Sequence, residues 1–214
     1  DAMGHILIAS VLSLPAAITV ARIMIPQTGE ATPGELVAPD AATSAMDAVT
    51  HGTVQGIKLL INIVGMLIVL VALVSLVNLA LGMIPQAGGE PVSLQRLAGL
   101  LMAPVCWLMG VSWSEAAQAG ALMGTKTILN ELIAYIDLSN LPAGTLSPRS
   151  LLIMTYALCG FANPGSLGIM IGGLSTMAPE RRGEIVALGL RSILAGTIAT
   201  CMTGCVIGII VGAA

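Results

Sequence analysis

Two stretches of this 214-residue chain place polar side chains inside apolar sequence. The first is Gly124–Thr–Lys–Thr–Ile–Leu–Asn–Glu–Leu–Ile–Ala–Tyr135, where Glu131 lies between Ile128–Leu129 and Leu132–Ile133. An acid at membrane depth is costly unless it faces a wet cavity or a partner, so it marks a functional site by default. The second is Cys159–Gly–Phe–Ala–Asn–Pro–Gly–Ser–Leu–Gly168, a polar, helix-breaking run within another hydrophobic segment. A carboxylate has two oxygens that accept paired hydroxyls, Asn163 offers a donor and an acceptor, and Ser166 offers a hydroxyl. This set suits a sugar-like solute. Glu131 is also the candidate carrier of a coupled proton. Phe161, the only Phe of the chain, presents a flat face to a planar ligand.

Each residue also has a plainer reading. Glu131 can snorkel at a hairpin end or pair with Lys126, although residues five apart are poorly aligned on a helix. Asn163 and Ser166 can repair backbone bonds freed by a kink. Phe161 can be a packed core aromatic.

Composition sets the medium. The chain is 56% hydrophobic and 9% charged, with mean hydropathy +0.97, against about 25% charged residues in a soluble domain. This predicts an all-α integral membrane protein. The formal net charge is −3, and no basic cluster is large enough for a nucleic-acid partner. Cys106, Cys159, Cys201 and Cys205 form no CxxC pair and have no nearby His, so neither metal nor disulfide is expected. His5 and His51 read as terminal and interfacial residues. With no Ser-His-Asp set, P-loop or dinucleotide fingerprint, we expect no enzyme activity and no cofactor.

The positioning elements follow from apolar length. Residues 1–58 hold a first span from His5 to Ile25, a loop over Pro26–Pro39, and an amphipathic surface helix over Thr43–Lys58. Residues 59–214 hold an uncharged scaffold helix over Leu59–Ile84, a polar turn over Pro85–Arg96, and a helical hairpin over about 94–137. A broken helix over about 149–179 and a final helix over about 186–214 complete them, with Glu180–Glu184 as a turn between the two. About 20 residues cross the hydrocarbon core, and a re-entrant hairpin is tolerated only where protein or a wet cavity covers its tip. Arg22, Lys58, Arg181, Arg182 and Arg191 fall on one side and Arg96 and Arg149 on the other. The positive-inside rule makes the first side cytoplasmic. Gly196, Thr200, Gly204, Gly208 and Gly212 form a small-residue stripe for close helix packing, within the chain or between copies.

Several motifs together resemble the concentrative nucleoside transporters. Asn130–Glu–Leu–Ile–Ala–Tyr135 is similar to that family's "NEFVAY" signature. Leu158–Cys–Gly–Phe–Ala–Asn163 with Gly165–Ser–Leu–Gly168 resembles its broken seventh helix. Pro104–Val–Cys–Trp–Leu–Met–Gly–Val111, Met177–Ala–Pro–Glu–Arg–Arg182, Met46–Asp–Ala–Val49 and Asn62–Ile–Val–Gly–Met–Leu–Ile68 match as well. The likeness covers the whole chain and about the C-terminal half of a family member, starting at the fifth transmembrane helix. It implies an inverted-repeat fold with a re-entrant hairpin, and a bacterial inner-membrane, multi-pass location. It also implies a homotrimer with contacts through Leu59–Ile84, and symport of a nucleoside with Na+ (or H+). Ribose would be recognised by Glu131, Asn163 and Ser166, with Phe161 nearby. The family's Gly-Gln-Thr-Glu hairpin, which reads the base, is absent from this sequence, as is most of the expected ion site. Pro164 departs from the family pattern and bears on base preference. Without the resemblance, the residues leave open another inverted-repeat carrier or ion exchanger, or a non-transporting membrane interaction subunit.

Overall fold

The computed structural model describes residues 2–29, 42–84 and 91–212; the remainder of the expected loop before Thr43 and of the turn after Ile84 lies outside them. The described residues form eight α-helices and no strand. They are α1 (Ala2–Met24), α2 (Ala45–Leu81), α3 (Leu94–Leu108), α4 (Trp113–Ile128), α5 (Glu131–Ser139), α6 (Pro148–Leu158), α7 (Pro164–Met177) and α8 (Arg182–Val211). Met3–Met24, Ala45–Leu81 and Pro179–Val211 are each long and apolar enough to cross a membrane.

The surface helix and the scaffold span, expected as separate pieces meeting at Lys58–Leu59, are one helix. Ser44 caps its start by accepting from Asp47 N at 3.1 Å. No proline follows before Leu81, and an interior glycine such as Gly56 costs only about 1 kcal/mol. At 37 residues the rod is about 55 Å long. Most of its described apolar side chains are exposed, none of its most hydrophobic window is buried, and it touches α7 and α3. Near its end, Asn78 accepts from Leu94 N and donates to Gln95 Oε1, both at 2.9 Å, which docks the start of α3.

The hairpin expected over 94–137 is three helices rather than two arms. Helices α3 and α4 pack antiparallel along their length. A Cβ on Gly120 would lie 2.5 Å from Gly99 O and 2.7 Å from Ala103 N, so only glycine permits this approach. Between them Gly110 turns the chain with φ +102°. The second arm then stops at Leu129, and Asn130 starts α5 by accepting from Ile133 N at 2.9 Å. An asparagine cap competes well with helix continuation, which is why the run Glu115–Tyr135 does not stay one helix.

Charged side chains fasten the α3–α4 turn to the rest. Glu115 accepts from Ser147 N and Ser147 Oγ, at 3.1 and 3.2 Å, at the start of α6. Arg149 donates to Gly110 O and, at 2.9 Å, to Gly208 O near the end of α8. Between these helices lies a core of Cys106, Met123, Ile153, Met154 and Leu158, all 0% exposed. The small-residue stripe of α8 faces this core: a Cβ on Gly196 would meet Ala162 at 3.0 Å, and one on Gly204 would meet Ala157 at 3.2 Å. From Gly196 to Gly208 the stripe therefore packs within the chain, whereas a Cβ on Gly212 would meet nothing within 4 Å. The turn expected over Glu180–Glu184 is tighter than anticipated, a 3-10 turn over Pro179–Arg181 that runs straight into α8.

Candidate functional site

The site is built where two helices begin. In the broken span, α6 ends at Leu158 and backbone bonds close within the interruption, from Gly160 N to Leu158 O at 2.9 Å and from Ala162 N to Gly160 O at 3.1 Å. Helix α7 then starts with Asn163 as its cap. Asn163 Oδ1 accepts from Ser166 N at 2.8 Å, and Ser166 Oγ accepts from Asn163 N at 2.9 Å and donates to Asn163 O at 2.7 Å. Such a reciprocal box satisfies two otherwise orphaned donors. Pro164 occupies the first turn, where its missing N–H is no loss. The break is thus made by residues 159–163, upstream of the proline.

Asn163 and Ser166 are 1% and 4% exposed. With its oxygen engaged in the cap, Asn163 turns its amide outward: Nδ2 donates to Glu131 Oε2 at 3.3 Å. Glu131 is the first residue of α5, so its half-buried carboxylate sits at one helix N-terminus and meets the cap of another. Both termini carry partial positive charge, which favours an anion and other acceptors there. Among the described residues Asn163 is the only hydrogen-bond partner of Glu131, and the other carboxylate oxygen is free to accept. Tyr135 Oη donates to Thr155 O at 2.7 Å, pinning α5 to α6 beside the site. Phe161 lies on the interruption and is 59% exposed, not packed in the core.

One member was missed by sequence reasoning. Lys126 is 0% exposed, and its Nζ donates to Thr200 Oγ1 of α8 at 2.9 Å. It also lies 3.8 Å from where a Cβ on Gly160 would sit, and that Cβ would collide with Thr200. The glycine is what lets the interruption reach Lys126 and Thr200. The signal was present, since a base in an apolar run carries the same warning as an acid. A spacing of five residues from Glu131 is poor on one continuous helix, but helical spacing loses its meaning across the break at Leu129–Asn130. Among the described residues, no three His, Cys, Asp or Glu side chains group as a metal site.

A sequence profile described as "Na+ dependent nucleoside transporter C-terminus" matches residues 5–208. The chain belongs to this family. Mouse Solute carrier family 28 member 3 is 38% identical over 228 residues, covering 96% of this chain and 32% of that protein. The Nucleoside permease NupC of Helicobacter pylori is 32% identical over 215 residues, covering 98% of this chain and 51% of the permease. Among solved structures, CNTnw in an inward-facing substrate-bound state superposes with a TM-score of 0.78 at 32% identity. It covers 98% of this chain and 51% of that one. A CNTnw variant in its intermediate 2 state reaches 0.84 at 34% identity, covering 94% and 50%. The chain therefore spans from about a third to about half the length of the relatives it matches. Those two relatives are named as a solute carrier and a permease, and membership in a transporter family makes this a membrane protein.

Proposed function

We propose that the chain is the C-terminal portion of a cation-coupled nucleoside symporter and carries the ribose half of its solute site. The observation that carries this reading is the Glu131–Asn163 contact, in which an acid and an amide converge from two helix starts. Ribose offers neighbouring hydroxyls. The free oxygen of Glu131 accepts from one, while Asn163 Nδ2, shifted from its 3.3 Å contact, donates to another. Ser166 acts by holding Asn163 and the first N–H groups of α7 in place, and Phe161 flanks the solute. The coupling cation, Na+ by family or H+, is a co-substrate, and most of its site belongs to chain outside this one.

Dimensions support a re-entrant role for α3 and α4. At 15 and 16 residues they measure about 22–24 Å, short of the roughly 30 Å hydrocarbon core. Broken helices around a midplane site are how inverted-repeat carriers bind solute, with alternating access by rigid movement of one bundle against another. The ties from the α3–α4 turn to α6 and α8 suit such a moving unit, and the long, largely exposed α2 suits a fixed scaffold. In the bacterial inner membrane, residues 59–84 of α2 would form the contact of a homotrimer. The test is uridine uptake into proteoliposomes carrying the full-length protein, with and without a Na+ gradient. Gradient-driven accumulation is expected; uptake insensitive to both Na+ and pH gradients, or none at all, overturns the reading.

A further inference from the structure

We propose that α5 is a splint across the break between α6 and α7, and that the Tyr135 hydroxyl is the positioning group that sets Glu131 at the solute site. The inference rests on the reading of Glu131 as part of that site.

Cutting a helix strands the carbonyls of its last turn. Had α6 continued, Cys159 N would reach Thr155 O. It bonds to Tyr156 O instead, at 3.2 Å, and Gly160 N turns to Leu158 O at 2.9 Å. Thr155 O is thereby left without its helical donor. Tyr135 Oη donates to it in place of that N–H, at 2.7 Å, a favourable length for an O–H···O bond.

Tyr135 and Glu131 stand four residues apart on α5, so they share one face of that helix. Glu131 accepts from Asn163 Nδ2 at 3.3 Å, beyond the break. One turn of α5, about 6 Å long, therefore touches both sides of the cut: Thr155 on α6 and Asn163 at the start of α7. The two contacts differ in what solute does to them. Solute hydroxyls compete for Glu131 and for the Asn163 amide, and loosen that end. They have no claim on the Thr155 carbonyl, so the Tyr135 bond holds α5 to the broken helix while the other contact exchanges.

Helix α1 also grips the end of α6. His5 Nδ1 and Tyr156 Oη are 3.0 Å apart, and Cys159 Sγ donates to Ile6 O at 3.8 Å. Neither contact involves α5, so neither steers Glu131. His5 thus separates a steady α6 from a steered carboxylate.

The experiment uses the purified full-length protein, with uridine affinity measured by calorimetry. Tyr135→Phe removes only the hydroxyl and is expected to weaken uridine binding roughly 3- to 10-fold, the scale of one lost hydrogen bond. In a Glu131→Gln background the same change should cost less than about twofold, because Tyr135 acts through that carboxylate. His5→Phe, which frees Tyr156 from α1, should leave uridine affinity within about twofold. Unchanged affinity in Tyr135→Phe overturns the proposal. So do equal losses in both backgrounds, or a loss in His5→Phe as large as in Tyr135→Phe, since either means a general loosening of α6.

Backbone hydrogen exchange without solute gives a second reading. Tyr135→Phe should speed exchange at least about threefold at the amides of 159–163, which opening of the break exposes, and leave 196–208 of α8 unchanged. Equal exchange in both proteins refutes the splint. Faster exchange at the break in a protein that binds no uridine leaves the splint standing and removes the nucleoside reading instead.

Discussion

Helix α2 and the junction between α4–α5 and α6–α7 are opposite solutions to one problem. Helix α2 runs 37 residues without interruption, exposes most of its described apolar side chains, and touches α7 and α3. The junction interrupts two helices and buries Lys126, Asn163 and Ser166 within a few ångströms of the gaps. A helix satisfies its own backbone and can stand in lipid alone, whereas an opened backbone is tolerated only where protein or a wet cavity repairs it. The difference separates parts that support from parts that bind. Substitutions in the junction should alter function before stability, and those in α2 should alter neither within one protomer.

Glu131→Gln gives the sharpest contrast. Losing a charged acceptor for solute hydroxyls removes about 1.5–3 kcal/mol, or roughly 10- to 150-fold in uridine uptake. Uptake equal to wild type would strip Glu131 of its assigned role. At Asn163 the cap and the contact can be separated. Asn163→Asp keeps an N-cap oxygen but sets a second carboxylate against Glu131, so uptake should collapse while the fold persists. Asn163→Ala should also cost about 1 kcal/mol of stability through the lost cap. Thermal unfolding of the two variants side by side distinguishes them, and equal stability would mean the capping box contributes little.

Glycines test the same contrast through packing. Gly120→Ala must push α3 from α4, because the added Cβ has backbone atoms of Gly99 and Ala103 at 2.5 and 2.7 Å. We expect a loss of about 1–3 kcal/mol, read as a lowered unfolding temperature in detergent. Gly65→Ala in α2 meets nothing within 4 Å and should be neutral or stabilising by up to about 1 kcal/mol. The smallest effect is expected from Leu76→Ala, where the side chain is 64% exposed; a change within about 0.5 kcal/mol is typical of surface sites. A large loss at Leu76 would show that α2 is packed against something, and size-exclusion chromatography would then reveal whether that is another copy.

Much of the junction was legible in one dimension. Uncompensated polar residues in apolar runs are expensive in lipid, and Glu131, Asn163 and Ser166 stand out for that reason. Local signals also announce the start of α7, since Asn163, Pro164 and Ser166 are cap and first-turn residues. The break ahead of α5 was obscured because Leu129–Asn130 contains neither proline nor glycine, and a single asparagine does not reveal whether the chain will use it as a cap.

By itself, the sequence determined that the chain is helical, lies in a membrane, belongs with the nucleoside carriers and opens two of its helices. These properties come from composition, apolar length and short motifs, which are local. Only the tertiary structure decided that the hairpin region becomes three helices, that the surface segment and scaffold are one rod, and that Lys126 is buried against Thr200. Each of these depends on which backbone can approach which, at Gly120 against Gly99 and at Gly160 against Thr200. Such approaches join residues tens of positions apart, and no spacing along the chain encodes them.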